Sequence, residues 1–155
     1  DLLGVRDYGI GLEYVPCPSC MSTEFDNAPG PTQSCVYYQN IAYPLFPTNP
    51  LNKCMASPLL GNNRPLPEVI KYLASGETII SSSYHGVYWG MLLGRKVIAI
   101  PFNHKFDRFK YPVPLEKIDF ITSSKIAKAP SFGGYLEECR EINIKFAEKV
   151  KERLG

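Results

Sequence analysis

Thr78-Ile79-Ile80-Ser81-Ser82-Ser83-Tyr84-His85-Gly86-Val87-Tyr88-Trp89-Gly90-Met91-Leu92-Leu93-Gly94-Arg95-Lys96-Val97-Ile98-Ala99-Ile100-Pro101 reads as strand, turn, buried helix, strand. Residues 78–82 are apolar and then polar, as expected when a buried parallel strand surfaces at its carboxyl end. Residues 84–93 are apolar almost all round, which predicts a helix covered on more than one side, stopped by Gly94. Residues 96–100 form a second buried strand, and the short spacing between the two makes a parallel right-handed crossover the natural connection. Open α/β sheets bind ligands in the crevice beyond the carboxyl ends of such strands, and His85 is expected there.

Outward from this unit the pattern predicts an α/β domain, a Rossmann-like parallel sheet flanked by helices. From residue 13 to 67 the chain is rich in proline, asparagine, glycine and serine, with one β-like run at 35–39. Pro65-Leu66-Pro67 opens a helix over 68–73 that closes near Ser75-Gly76. After the second strand, residues 101–114 form a loop carrying Asn103, His104, Lys105, Asp107, Arg108 and Lys110 among aromatic residues. It leaves the same sheet edge as Ser83 and His85. Residues 118–122 are read as one more short strand. The final helix, about 134 to 153, sets Leu136, Cys139, Ile142, Phe146 and Val150 on one face, with its charged face solvated. Tyr37 and Tyr38 stand on a strand, so one of them is expected to face inward; Tyr88 and Trp89 read as core rather than as a sugar-stacking pair.

A chain of 155 residues is one domain, divided here into a loop-rich lead-in, 1–34, and an α/β core, 35–155. The apolar share of 45% and charged share of 21% predict a folded core rather than disorder. A net charge of +2 and no dense basic run before the last helix give no footprint for nucleic acid, so small-molecule ligands are favoured. No apolar stretch approaches the roughly 20 residues of a membrane span, and a cytoplasmic location is expected. The chain starts at Asp1 and runs at once into Leu2-Leu3-Gly4-Val5-Arg6, which reads as a segment of something longer.

The cysteines, Cys17, Cys20, Cys35, Cys54 and Cys139, are odd in number and irregular in spacing, so reduced thiols are expected rather than a disulfide framework. Cys17-Pro18-Ser19-Cys20 has the gap of a zinc knuckle, with Cys35 and Cys54 as the other conceivable ligands. That second pair lacks the gap, and small buried thiols are the simpler reading; no metal and no cofactor is expected.

Serine and glycine around the strand-to-helix turn let backbone N–H groups approach an anion at Ser82, Ser83 and Gly86. Ser81 to Ser83 also suit helix capping. His85 has the chemistry of a general acid or base near neutral pH, against a capping or packing role, and Lys105, Arg108 and Lys110 can supply fixed charge for an acidic substrate. An exposed loop role suits His104.

Ser83-Tyr84-His85-Gly86 with the following Val87 to Ile98 resembles the polysaccharide pyruvyl transferase family, whose C-terminal half carries a Ser-aromatic-His-Gly motif at a strand–helix junction. Pro101-Phe102-Asn103-His104-Lys105-Phe106 is similar to that family's lysine-containing loop. Gly4-Val5-Arg6-Asp7-Tyr8-Gly9 and Tyr14-Val15-Pro16-Cys17-Pro18-Ser19-Cys20-Met21 look like segments that precede this half in one branch.

The resemblance implies the C-terminal domain of a GT-B-like fold, with a ligand cleft shared with a missing N-terminal domain. It implies transfer of a pyruvyl group from phosphoenolpyruvate, or another anionic donor, to a sugar acceptor of a cell-surface polysaccharide. His85 matches the motif histidine that acts as catalytic acid; Ser82, Ser83, Tyr84, Gly86, Asn103, Lys105 and Arg108 are the expected substrate-binding set. The sequence departs from the branch in which arginine and leucine precede the histidine, because Ser83 and Tyr84 stand there. A donor arginine must come from Arg6, Arg95 or Arg108, although Arg6 beside Asp7 reads as a surface ion pair. The competing readings are a GT-B-type glycosyltransferase using a sugar nucleotide, and a binding or scaffold domain without chemistry.

Overall fold

Strand β5, Gly76–Ser81, is the centre of the molecule, buried at every position but Glu77. The structure is a computed structural model describing residues 2–43 and 59–155. Upstream of β5 lie two short strands, β1 at Gly4–Val5 and β2 at Glu13–Tyr14, then β3 at Gln33–Gln39 and β4 at Leu60–Gly61. Strand β6, Lys96–Ala99, follows β5. The main sheet has four strands in the order β4-β3-β5-β6, all parallel, and β1 and β2 pair parallel as a separate ribbon. The fold is mixed α/β, a parallel sheet flanked by helices, compatible with a Rossmann-like arrangement.

Both faces of the sheet are covered, which is why its strands read as continuous apolar runs. On one face Val36, Tyr38 and Ile79 pack with Val69 and Leu73 of helix α1, Leu66–Ala74. On the other, Cys35, Tyr37, Ile80 and Ile98 pack with Ala129 and with half-buried Ile118, Ile121 and Ile126. Tyr37 and Tyr38 are therefore both buried, 6% and 1% exposed, where the sequence reading placed one inward. Neighbouring strand residues point to opposite faces, and at these two positions neither face meets water.

Helix α2, Tyr84–Leu92, lies between sheet, α1 and α4 and is buried nearly all round, as its composition predicted. Its close approach to the sheet requires Gly86: a Cβ there would fall 2.3 Å from Ser81 Oγ and 2.4 Å from Tyr38 Cδ1. Gly94 ends the unit with φ of +64°, a left-handed conformation that suits glycine.

Residues 118–122 do not form the expected strand. Ile118–Phe120 is a 3₁₀ turn, and Thr122 caps helix α3, Ser123–Lys128, by accepting from the Lys125 N–H at 3.3 Å. Ile118 and Ile121 reach the sheet from turn spacing rather than strand alternation. The place beside β6 is taken instead by Leu115, in an isolated parallel bridge to Ala99, and the flanking Pro114 has no N–H with which to prolong a ladder.

The last helix, α4, runs Tyr135–Leu154 with Cys139 buried on its apolar face. Its polar side is not simply solvated. Arg140 donates to the Cys20 and Ser22 carbonyls at 2.9 and 3.0 Å, and Asn143 Nδ2 to the Pro16 carbonyl at 3.1 Å. These bonds tie the lead-in down, and its Cys20 and Phe25 join the same buried cluster as Val87, Tyr88 and Met91.

Candidate functional site

Register levels the sheet. Tyr38 pairs with Leu60 and Ser81, and Ser81 with Ala99, so all four carboxyl ends finish at one height. A cavity of about 380 Å³ opens there. Every strand contributes to its wall: Asn40 and Tyr43 follow β3, Asn62 follows β4, Ser83, Tyr84 and His85 follow β5, and Phe102, Asn103, Lys105 and Phe106 follow β6. Arg6, next after β1, completes it from the lead-in.

The turn after β5 is held by its serines. Ser81 Oγ donates to the Tyr38 and Ser83 carbonyls at 2.8 and 3.1 Å and accepts from the Ser83 N–H at 3.0 Å. Ser83 caps α2, its Oγ accepting from the Gly86 N–H at 3.4 Å, and still borders the cavity. The resulting turn presents His85 at the start of the helix, half-buried, its ring 5.2 Å from Trp89 and 5.8 Å from Tyr84 between centroids.

Opposite, a 3₁₀ turn over His104–Arg108 is capped by Asn103, whose Oδ1 accepts from the Lys105 N–H at 3.0 Å. Lys105 borders the cavity, and no ion pair among the described residues involves it. Arg6 lies with its guanidinium carbon 4.9 Å from the Tyr84 ring centroid, and its Nε is 3.8 Å from Asp7 Oδ1. Tyr84 is stacked on Phe109 at 4.6 Å between centroids with 9° between planes. Burial is the main cause pushing its phenol up to about 12, against the lowering charge of Arg6, so it stays neutral. Two cationic side chains and a histidine thus meet on one cavity, and no carboxylate is among the described residues lining it. Such a wall suits a small anion.

Of the expected set, Ser83, Tyr84, His85, Asn103 and Lys105 line this cavity. Ser82, Gly86 and Arg108 do not. Ser82 is buried and its Oγ accepts from the Asn40 N–H at 3.0 Å, so it staples β5 to the end of β3. Gly86 serves the packing of α2 on Tyr38. Arg108 is exposed at the end of its turn, away from the lining, with its carbonyl accepting from the Tyr8 N–H at 3.0 Å. Among the three arginines weighed for the donor, Arg6 borders the cavity. Arg95 instead sits where β6 begins, donating to the Pro29 and Ala74 carbonyls at 2.7 and 3.0 Å. His104 is exposed and off the lining.

Asn40 and Asn62, which line the cavity, and Cys17, which touches His85, went unread, and Arg6, weighed as a donor arginine but read as a surface ion pair, stands on the cavity with them. Arg6 does pair with Asp7, yet the docked lead-in turns it over Tyr84. Asn40 and Asn62 follow strands, and β4 is too short to leave a period in the sequence. Cys17, read as a plain thiol, has its Sγ 3.6 Å from His85 Nε2. Burial raises this thiol, but the hydrogen bond from His85, those from Ser19, and the His85 charge outweigh it and bring it down to about 7. Among the described residues no group of His, Cys, Asp or Glu is gathered that could hold a metal ion; Cys54, considered as a zinc ligand, lies outside them. Nor is any helix among them long and apolar enough to cross a membrane.

Compared with protein-family models, curated proteins and solved structures, the chain finds no match.

Proposed function

We propose that the chain is the donor-binding half of a polysaccharide pyruvyl transferase-like enzyme, moving a pyruvyl group from phosphoenolpyruvate to a sugar of a cell-surface polysaccharide. The observation that carries this reading is the convergence of His85, Lys105 and Arg6 on one cavity with no carboxylate among the described residues lining it. Phosphoenolpyruvate is a compact trianion at neutral pH, so it needs two fixed cations more than it needs apolar surface. In this reading Arg6 and Lys105 hold the carboxylate and phosphate. His85 gives a proton to the methylene carbon, which makes the adjacent carbon open to attack by a sugar hydroxyl. Attack by a second hydroxyl of the same sugar breaks the carbon–oxygen bond to phosphate and closes the ketal; of the two hydroxyl protons released, one returns to His85 and the other leaves on the phosphate.

The GT-B-like assignment belongs to the same proposal. A second domain facing the cavity would hold the acceptor, as in a two-domain transferase. Phe102 and Tyr43, stacked at 4.5 Å, line the cavity and in this reading would meet such a domain.

Thermal-shift titration with phosphoenolpyruvate, inorganic phosphate and common sugar nucleotides tests the reading, since a ligand that binds only the native state raises its apparent stability. Phosphoenolpyruvate should stabilise the chain most, and the His85→Gln variant should bind it but fail to turn it over once the acceptor domain is supplied. Stabilisation by sugar nucleotides alone would move the assignment to a glycosyltransferase.

A further inference from the structure

Cys17 differs from the other described cysteines. Cys20, Cys35 and Cys139 are 2% exposed or less, whereas Cys17 is half-buried, just before the 3₁₀ turn Pro18–Met21. Its Sγ lies 3.6 Å from His85 Nε2 and 3.3 Å from Ser19 Oγ. Both partners are fixed from α2. Trp89 Nε1 donates to Ser19 Oγ at 3.0 Å and stands beside the His85 ring, and Tyr88 Oη donates to the Cys17 carbonyl at 2.9 Å. A nucleophile hydrogen-bonded to a base, with the base held by a third group, is the arrangement that activates a thiol.

The titratable and charged groups around the thiol favour this. From α2 come His85, which lowers its pKa, and the phenols of Tyr84 and Tyr88, which burial keeps neutral. From its own turn comes Cys20, which burial pushes up and so keeps neutral, with Arg140 of α4 acting on Cys20. Cys139 of α4 is likewise pushed up to about 12 by burial. Beyond Tyr84 stand Arg6 and its partner Asp7. Among the described residues the base hydrogen-bonded to the Cys17 thiol is the His85 imidazole, at 3.6 Å.

We infer that Cys17 is a reactive thiolate paired with His85, and a site of mixed-disulfide formation with small-molecule disulfides. The thiolate attacks one sulfur of the disulfide. A new S–S bond forms as the old one breaks, and the departing sulfur leaves as a thiolate with the electron pair. Cys17 is oxidised, the leaving half is reduced, and the proton first passed to His85 goes to the leaving thiolate or to water. The inference does not depend on what the cavity binds.

The test uses the full chain in a Cys54→Ser background, treated with 4,4′-dithiodipyridine and followed by thiopyridone release across pH. One fast equivalent per chain is expected, lost in Cys17→Ser, with its rate half-maximal near pH 7 in line with the thiol's position at about 7. In His85→Gln and His85→Asn the midpoint should rise to about 8.5, the ordinary thiol value. The rate at neutral pH should change less than the midpoint, because a less basic thiolate is also a weaker nucleophile. A native midpoint in the ordinary thiol range, a midpoint unmoved by both His85 variants, or a fast equivalent that survives Cys17→Ser overturns the inference. Circular dichroism identifies a variant that fails to fold, and the native midpoint then decides alone.

Discussion

The guanidinium carbon of Arg6 lies 4.9 Å from the centroid of the Tyr84 ring, and Tyr84 is itself stacked on Phe109. A residue from the lead-in is thereby seated on the residue that precedes His85. An arginine held on an aromatic face loses less freedom when it meets an anion. Arg6→Ala should weaken binding of phosphoenolpyruvate or inorganic phosphate by about 1.5 to 3 kcal/mol, the range for hydrogen bonds to charged groups. Arg6→Lys should fall between, since it keeps charge and loses the flat stack. Calorimetric titration reads both, and an alanine variant that binds like the parent removes Arg6 from the site.

Lys105 makes a different forecast because it is exposed. Lys105→Ala should leave folding stability within about 0.5 kcal/mol of the parent. Anion affinity should fall by about 0.2 to 1 kcal/mol, and that difference should shrink as salt is raised. Titration at low and high salt checks it; an effect that persists at high salt points to a desolvated contact instead.

Gly86 is a packing position, so its substitution reports on the fold. In Gly86→Ala the new methyl meets Ser81 Oγ at 2.3 Å and Tyr38 Cδ1 at 2.4 Å. Overpacking of this kind costs about 1 to 3 kcal/mol. For a domain of this size each kcal/mol moves the melting temperature by roughly 2 to 4 °C. Scanning calorimetry should show that loss, and an unchanged melting temperature would mean that α2 can lift from the sheet.

Alkaline stability follows from the buried phenols. Burial pushes Tyr38, Tyr72 and Tyr84 up to about 12 from the ordinary value near 10. Groups whose folded pKa is raised contribute stability that is complete below the unfolded value and is lost as pH rises through the folded one. The phenols' share of the stability should therefore be flat up to about pH 10 and fall between about 10 and 12, while the buried Cys139 thiol, also pushed up to about 12, begins its own loss from about pH 8.5. Tyrosinate absorbance and circular dichroism recorded together should change in one step; phenols that ionise well before the fold is lost would show that they are not buried.

The strand–helix–strand unit was legible because its apolar runs are long and bounded by Gly94, and because a helix apolar on all sides has few places to go. The β3 run and the α1 and α4 helices were legible for the same reason. Residues 118–122 misled because isoleucines three apart in a turn and alternating residues in a strand give nearly the same short pattern. His85 and Lys105 were placed at one sheet edge from the chain order of strand ends, and both line the cavity. Ser82 and Gly86 were expected to offer backbone N–H groups to an anion, yet the Ser82 N–H donates to the Tyr38 carbonyl and the Gly86 N–H to Ser83 Oγ, so the turn itself uses both. Cys17 could not be reached from local pattern, and Arg6 could be offered only as one of three arginines, since both arrive from tens of residues away through the Arg140 and Asn143 bonds that dock the lead-in.

The level finish of the strands divides labour between the parts of the site. The serine-held turn and Gly86 in the first turn of α2 make a stiff floor, while Asn40, Asn62 and Asn103 each belong to a separate loop that ends on it. Loops tolerate exchange far better than the elements that carry them. Ligand preference can therefore drift one loop at a time, as interchangeable fittings on a fixed bench, while His85 keeps its orientation throughout.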